Sequence, residues 1–139
     1  NKFGILFPES IKEFARGWVK KLSVKTNDVN NPAQSLSGGN QQRLVLAKWM
    51  AADPTVLIMD GPTVGVDVGS KAEIHEMIRN MGHEGRGVII VSDDIPELIQ
   101  ICNRILVMRD GFIIAEYYSQ ETNEKEIYDL LVASCDPVV

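Results

Sequence analysis

Apolar residues recur at helical spacing from Pro8 to Leu22. Ile11, Phe14, Trp18, Val19 and Leu22 fall on one stripe, with Lys12, Glu13, Arg16, Lys20 and Lys21 elsewhere on the wheel. The pattern predicts an amphipathic helix whose stripe faces a core. Thr26 to Gln34 is polar, rich in Asn and contains Pro32, so it reads as a linker. A second helical stretch opens at Ser37, a good N-cap, and runs through Leu44, Leu46, Ala47 and Met50 until Asp53-Pro54 breaks it. The pattern then changes. Thr55 to Met59 is a continuous apolar run, and Gly87 to Ser92 is another, which predicts strands buried on both faces as in a parallel sheet. Between them lies a loop, Thr63 to Gly69, and a helix opened by Gly69 or Ser70, with Ile74, Met77, Ile78 and Met81 on one face and Gly82 at its end. A short helix (Pro96 to Cys102) leads to a strand (Arg104 to Met108). Asp110-Gly111 is a strong hairpin signal before a returning strand, Phe112 to Tyr117. Asn123 with Glu126 marks the start of a last helix carrying Ile127, Leu130 and Leu131.

Composition narrows the class without naming it. A chain of 139 residues, 45% hydrophobic and 24% charged, has the make-up of an ordinary globular domain with a real core. The net charge of -5 supplies no drive toward nucleic acid or an anionic membrane. Cys102 and Cys135 lie far apart with no metal-ligand spacing, which suits a reducing cytoplasm. No apolar run approaches the roughly 20 residues of a membrane span. The apolar start, Asn1 to Phe7, is too short for a signal peptide, and Asn1 in place of an initiator methionine is what a fragment would show. His75 and His83 are assigned no role.

Three short stretches carry the candidate chemistry, all between Ser35 and Asp67. Leu36-Ser37-Gly38-Gly39-Asn40-Gln41-Gln42 opens a helix. A helix starting at Ser-Gly-Gly presents free N–H groups at the positive end of its dipole, and glycines let a phosphate approach the backbone. Val56-Leu57-Ile58-Met59-Asp60 is an apolar strand ending in an acid. Ligands of parallel sheets bind at the carboxyl ends of strands, and a hard carboxylate there suits Mg²⁺. Gly65-Val66-Asp67 is a Gly/Asp loop. Each stretch alone is ordinary: a capped core helix, a solvated strand-end acid, a turn.

In this order and spacing they resemble the signature motif, Walker B strand and D-loop of ABC-type ATPases, and specifically the second nucleotide domain of sugar importers that fuse two such domains. The resemblance is firm from about Ala33 to about Phe112. It implies an α/β fold, an incomplete P-loop NTPase domain with a mostly parallel sheet. Residues 1–52 would form the helical and signature region, 53–118 the Walker B, D-loop and switch strands, and 119–139 a C-terminal helix. It further implies ATP and Mg²⁺ as cofactors. Ser37, Gly38, Gly39 and Gln42, with Asp67 at the domain interface, would serve the ATP held by the opposite domain, and Asp60 would serve the metal. Two positions depart from the family. Gly61 stands where a catalytic Glu usually follows the Walker B Asp, and glycine cannot orient a water through a side chain. Asp93 stands where the switch His is usual, and an acid beside a phosphate would repel it unless paired. The catalytic set of this chain's own site is thus not intact.

The phosphate loop, Gly-x-x-x-x-Gly-Lys-Ser/Thr, is also missing. Gly82 to Gly87 has the nearest spacing, but Val88 and Ile89 follow it and it precedes a strand. The resemblance therefore implies the C-terminal part of one domain, in a cytoplasmic subunit peripheral to the cell membrane. Its partners would be a complete nucleotide domain and sugar-permease membrane subunits, with no nucleic acid, and strand edges left open would favour self-association. Two other functions stay open on sequence: a non-transport ABC protein of DNA repair or translation, and a regulatory or structural module with no nucleotide role.

Overall fold

The computed structural model describes residues 7–132. Asn1, Lys2 and Phe3, and Cys135 with the rest of the tail, lie outside them. The first helix, α1 (Pro8–Lys21), starts on a proline whose fixed φ suits the first turn, and Lys20 and Lys21 lie at its negative end. A short 3-10 turn at Ala33–Ser35 precedes α2 (Gly38–Met50). Strand β1 (Val56–Asp60), helix α3 (Val68–His83), strand β2 (Gly87–Val91) and helix α4 (Ile95–Ile101) follow in alternation. The hairpin β3 (Arg104–Arg109) and β4 (Phe112–Tyr118) leads to α5 (Glu124–Val132).

The residues form two compact units. One is built on α1, α2, α3 and the start of the strand pair β1–β2, the other on the ends of those strands with α4, β3, β4 and α5. The first has its core in Leu22, Val24, Leu46, Ala47, Met50, Ile74, Ile78 and Met81. The second is centred on Ile105, Val107 and Ile127, with Ile95, Leu98, Ile99 and Leu130 packed around them.

Strands β1 and β2 run parallel. The Gly87 N–H donates to the Thr55 carbonyl where both begin, and the Gly61 N–H to the Val91 carbonyl where both end. β3 and β4 pair antiparallel, from Arg104 opposite Tyr118 to Arg109 opposite Phe112, with a register shift between Val107 and Met108. Asp110 (φ 50°) and Gly111 (φ 82°) both take positive φ, as a type I′ hairpin turn requires. So the described residues carry two separate two-stranded sheets, one parallel, in place of a single mostly parallel one.

Local chemistry explains where the elements stop. α3 begins at Val68, one residue before the earliest start read from the pattern, because the Asp67 carboxylate caps it by accepting from the Ser70 N–H (3.0 Å). It ends later than Gly82. Gly85 takes φ 84° and donates to the Gly82 carbonyl, while Arg86 donates to that of Met81: a Schellman close needing glycine at 85. Asp94 and Asn123 cap α4 and α5 by accepting from the Glu97 and Glu126 N–H groups. Arg86 ties two turns together by donating to the Asp53 carboxylate (2.8 Å) and the Pro54 carbonyl (2.9 Å).

Two burial expectations are corrected. The stripe of α1 is not covered: Ile11 and Phe14 are exposed, no residue of the helix is buried, and only Leu22 beyond its end is. Phe14, Trp18 and Val19 instead line an apolar groove of about 410 Å³ with Val24, Leu44 and Val45. Strand β1 is covered on one face only, and β2 has no buried residue, Val88 and Ile90 being half-buried. Leu57 and Met59 are buried, while Val56, Ile58 (67% exposed), Ile89 and Val91 are not. Side chains alternate across a strand, so a continuous apolar run shows only that both faces tolerate burial.

Candidate functional site

The glycine pair at the start of α2 is where the site is built. Ser37 holds the N-cap position with extended backbone (φ -61°, ψ 156°), but its hydroxyl does not cap the helix. It accepts from Asn40 Nδ2 instead (2.8 Å). Asn40 Oδ1 in turn accepts from the Lys25 N–H (2.7 Å), and Gln41 Nε2 donates to the Leu36 carbonyl (2.8 Å). The polar side chains of the first turn thus pin the loop and leave the leading helical N–H groups without a side-chain cap. That arrangement fits an anion. Ser37 and Gly38 are exposed, Gly39 is buried and Gln42 half-buried.

Gly39 is buried because the loop carrying Asp67 lies against it. A Cβ added at Gly39 would fall on the Ser70 hydroxyl, within 2.5 Å of Ser70 Cβ and 3.7 Å of Asp67 Oδ2. One added at Gly38 would lie 3.2 Å from the Gly65 carbonyl. Gly65 itself takes φ 72°. The two stretches singled out in the sequence, 37–39 and 65–67, are therefore in direct contact. The backbone N–H of Ser70 holds the Asp67 carboxyl below the usual carboxylate range. Flanking Asp67, Val64 and Val68 point their apolar side chains into solvent.

Sequence reasoning missed Arg43. It is 3% exposed, although it lies in the middle of a helix. Its Nη1 donates to the Ser23 carbonyl (2.8 Å), and its Nη2 pairs with Glu73 on α3. Its Nε has no partner among the described residues. The signal was present: Gly39, Arg43, Leu46, Ala47 and Met50 form one buried stripe, and a cation on such a stripe demands a partner. His75 is buried on α3, as a packed residue would be.

At the strand ends, the Asp60 carboxylate is exposed. No group of three or more His, Cys, Asp or Glu suited to a metal occurs among the described residues. Asp60 could offer a single oxygen to Mg²⁺, which usually keeps several waters and phosphate oxygens and needs only one or two carboxylates. Gly61 takes φ 53°, so a backbone requirement favours glycine there whatever side chain relatives carry. Asp93 is exposed. Its neighbour Ser92 donates to the buried Glu97 carboxylate (3.1 Å) and accepts from the Asp94 N–H (3.1 Å), which fixes the turn after β2.

Comparison with known proteins agrees with this geometry. Residues 9–64 match the profile of the family described as ABC transporter. The ribose import ATP-binding protein RbsA of Rhodococcus jostii is 46% identical over 126 residues, which is 91% of this chain and 25% of that protein. A second such protein, from Rhizobium meliloti, is 42% identical over 127 residues, again 91% and 25%. The chain thus spans about a quarter of the length of these curated relatives. Among solved structures, a nucleotide-free ATP-binding cassette from an ABC transporter is 25% identical with a TM-score of 0.73, covering 98% of this chain and 51% of its own. A dimeric bacterial ABC transporter cassette is 26% identical with a TM-score of 0.70, covering 84% and 50%. Profile, sequence and fold thus agree on an ABC-transporter ATP-binding domain, partial and related to the sugar-import ATPases.

Proposed function

We propose that this chain is part of the ATP-binding subunit of a sugar ABC importer. It supplies Leu36 to Gln42 to an ATP site completed by the phosphate loop of a second nucleotide domain. The observation that carries this reading is the start of α2. Its N–H groups have no side-chain cap, its glycines leave the backbone approachable, and Gly39 is seated against the loop that bears Asp67. Ser37, Gly38 and Gly39 would meet the terminal phosphate, Gln42 would lie one turn behind, and Asp67 with exposed Val64 and Val68 would face the partner domain. Bound ATP with Mg²⁺ would supply the phosphoryl group whose hydrolysis drives transport.

The chain's own residues divide the labour unevenly. Asp60 would hold one position of the metal shell at this chain's own nucleotide site. Gly61 and Asp93 give that site neither a general base nor a switch imidazole, so it would be degenerate. The three-part division at residues 52 and 118 and the pairing with permease subunits belong to the same proposal. The ribose-import relatives favour it over a repair or translation role.

Single-turnover ATPase assays on the full-length protein test it. Gly38→Asp places side chain and charge where the phosphate would approach and should abolish turnover. Asp60→Asn should weaken occupancy of the degenerate site and slow turnover only indirectly. Loss of a general base costs about 10²–10⁴-fold, and that loss is already built into the site of Gly61. Equal and complete loss of the chemical step in both variants would overturn the proposed asymmetry.

A further inference from the structure

Arg43 lies one turn beyond the glycine pair and reaches in two directions. One guanidinium nitrogen donates to the Ser23 carbonyl beyond the end of α1, and the other pairs with Glu73 on α3. Glu73 sits one turn beyond Ser70, the residue on which Gly39 rests. Helices α2 and α3 are therefore held together twice on the same side, by Gly39 on Ser70 at their N-terminal ends and by Arg43 on Glu73 a turn further along. A planar guanidinium can serve both partners at once; an ammonium on a flexible stem cannot hold that fork.

We infer that Arg43 is a positioning residue, clamping the Ser37–Gly39 segment to the Gly65–Asp67 loop so that both face the opposite domain as one rigid surface. The inference rests on the phosphate-facing reading of Ser37–Gly39. It adds that the two segments cannot shift independently and that the Arg43–Glu73 pair is the reason.

The test uses the full-length protein with Arg43→Met, Arg43→Lys and the milder Glu73→Gln, whose side chain is half-exposed and whose change leaves the core intact. Amide hydrogen exchange without nucleotide should rise together at residues 41–43 and 70–72, the first hydrogen-bonded amides of the two helices, by about tenfold or more in Arg43→Met. Single-turnover hydrolysis at saturating Mg-ATP separates positioning from mere loss of folded protein. Fewer folded molecules lower the amplitude, whereas misplacement lowers the rate constant, by on the order of 10²-fold for displacements near 1 Å. Arg43→Met should lower the rate constant, Glu73→Gln should lower it less, and Arg43→Lys should recover only part. An unchanged rate constant with reduced amplitude overturns the inference, as does exchange that rises at one segment alone or full recovery with lysine. If exchange rises at both segments while Gly38→Asp leaves turnover intact, the clamp stands and the proposed function falls.

Discussion

Gly39→Ala should destabilise the protein, against the ordinary trend for helices. Replacing glycine by alanine inside a helix gains roughly 0.5–1 kcal/mol through backbone entropy, and less in the first turn, where Gly39 lies. Here the added methyl would fall on Ser70, within 2.5 Å of its Cβ. The hydroxyl can rotate away, but the Cβ is fixed to the backbone at the start of α3, so α2 or the Asp67 loop must move. Overpacking of this kind costs about 1–3 kcal/mol, and the net expectation is a loss of about 1–2 kcal/mol. In urea, with a slope of roughly 1–3 kcal/mol/M, the midpoint should fall measurably at unchanged slope. Two second-site changes sharpen the test. Ser70→Gly removes both offending atoms and should restore most of the loss, whereas Ser70→Ala keeps the Cβ and should restore little. A Gly39→Ala protein as stable as its parent, or equal rescue by alanine and glycine at 70, would refute the contact.

Other predictions follow from single positions. At Gly61 the positive φ should make Gly61→Glu cost about 1 kcal/mol and Gly61→Asn less, since Asn enters the left-handed region more readily; thermal melts of the pair give the order. The depressed Asp67 carboxyl contributes stability that is fully present above its unfolded pKa, about 3.9, and is lost as pH falls through the lower folded value. Asp67→Asn should flatten that part of the acid limb in urea titrations between pH 7 and 2.5, and an unchanged limb would count against the cap. The isolated chain should give no saturable micromolar isotherm with Mg-ATP by calorimetry, because its sequence has no phosphate loop. Outer edges of β1 and β2 have no strand partner among the described residues, so sedimentation of the isolated chain should show concentration-dependent association. A monomer up to the highest soluble concentration would exclude it.

What could be read from the chain alone was local chemistry that needs no partner. Asp110-Gly111 demands positive φ at two successive residues, and a tight hairpin follows wherever that pair occurs. Asn123 capping through Glu126, Asp53-Pro54 closing α2 and the Ser-Gly-Gly start of the site are of the same kind. The order of signature, strand-end acid and Gly/Asp loop was legible for another reason: a fixed succession of short motifs is far more specific than any one of them.

Tertiary structure decided everything that depends on a neighbour. The stripe of α1 has helical period, but period cannot say whether anything lies over Phe14, and little does. A run of apolar residues in β1 could not say that Leu57 and Met59 face a core while Val56 and Ile58 do not. Gly82 and Gly85 are equivalent on paper. Only Gly85 takes the positive φ at which the last turn closes, with Arg86 drawn back to the Met81 carbonyl. Ser37 looked like a capping hydroxyl until Asn40 claimed it. Arg43 lay in plain view within the motif, yet its role depends on Glu73, thirty residues later in the chain and one helix away. A single charged side chain on a buried stripe announces that a partner must exist, and only the packing of α2 on α3 says which.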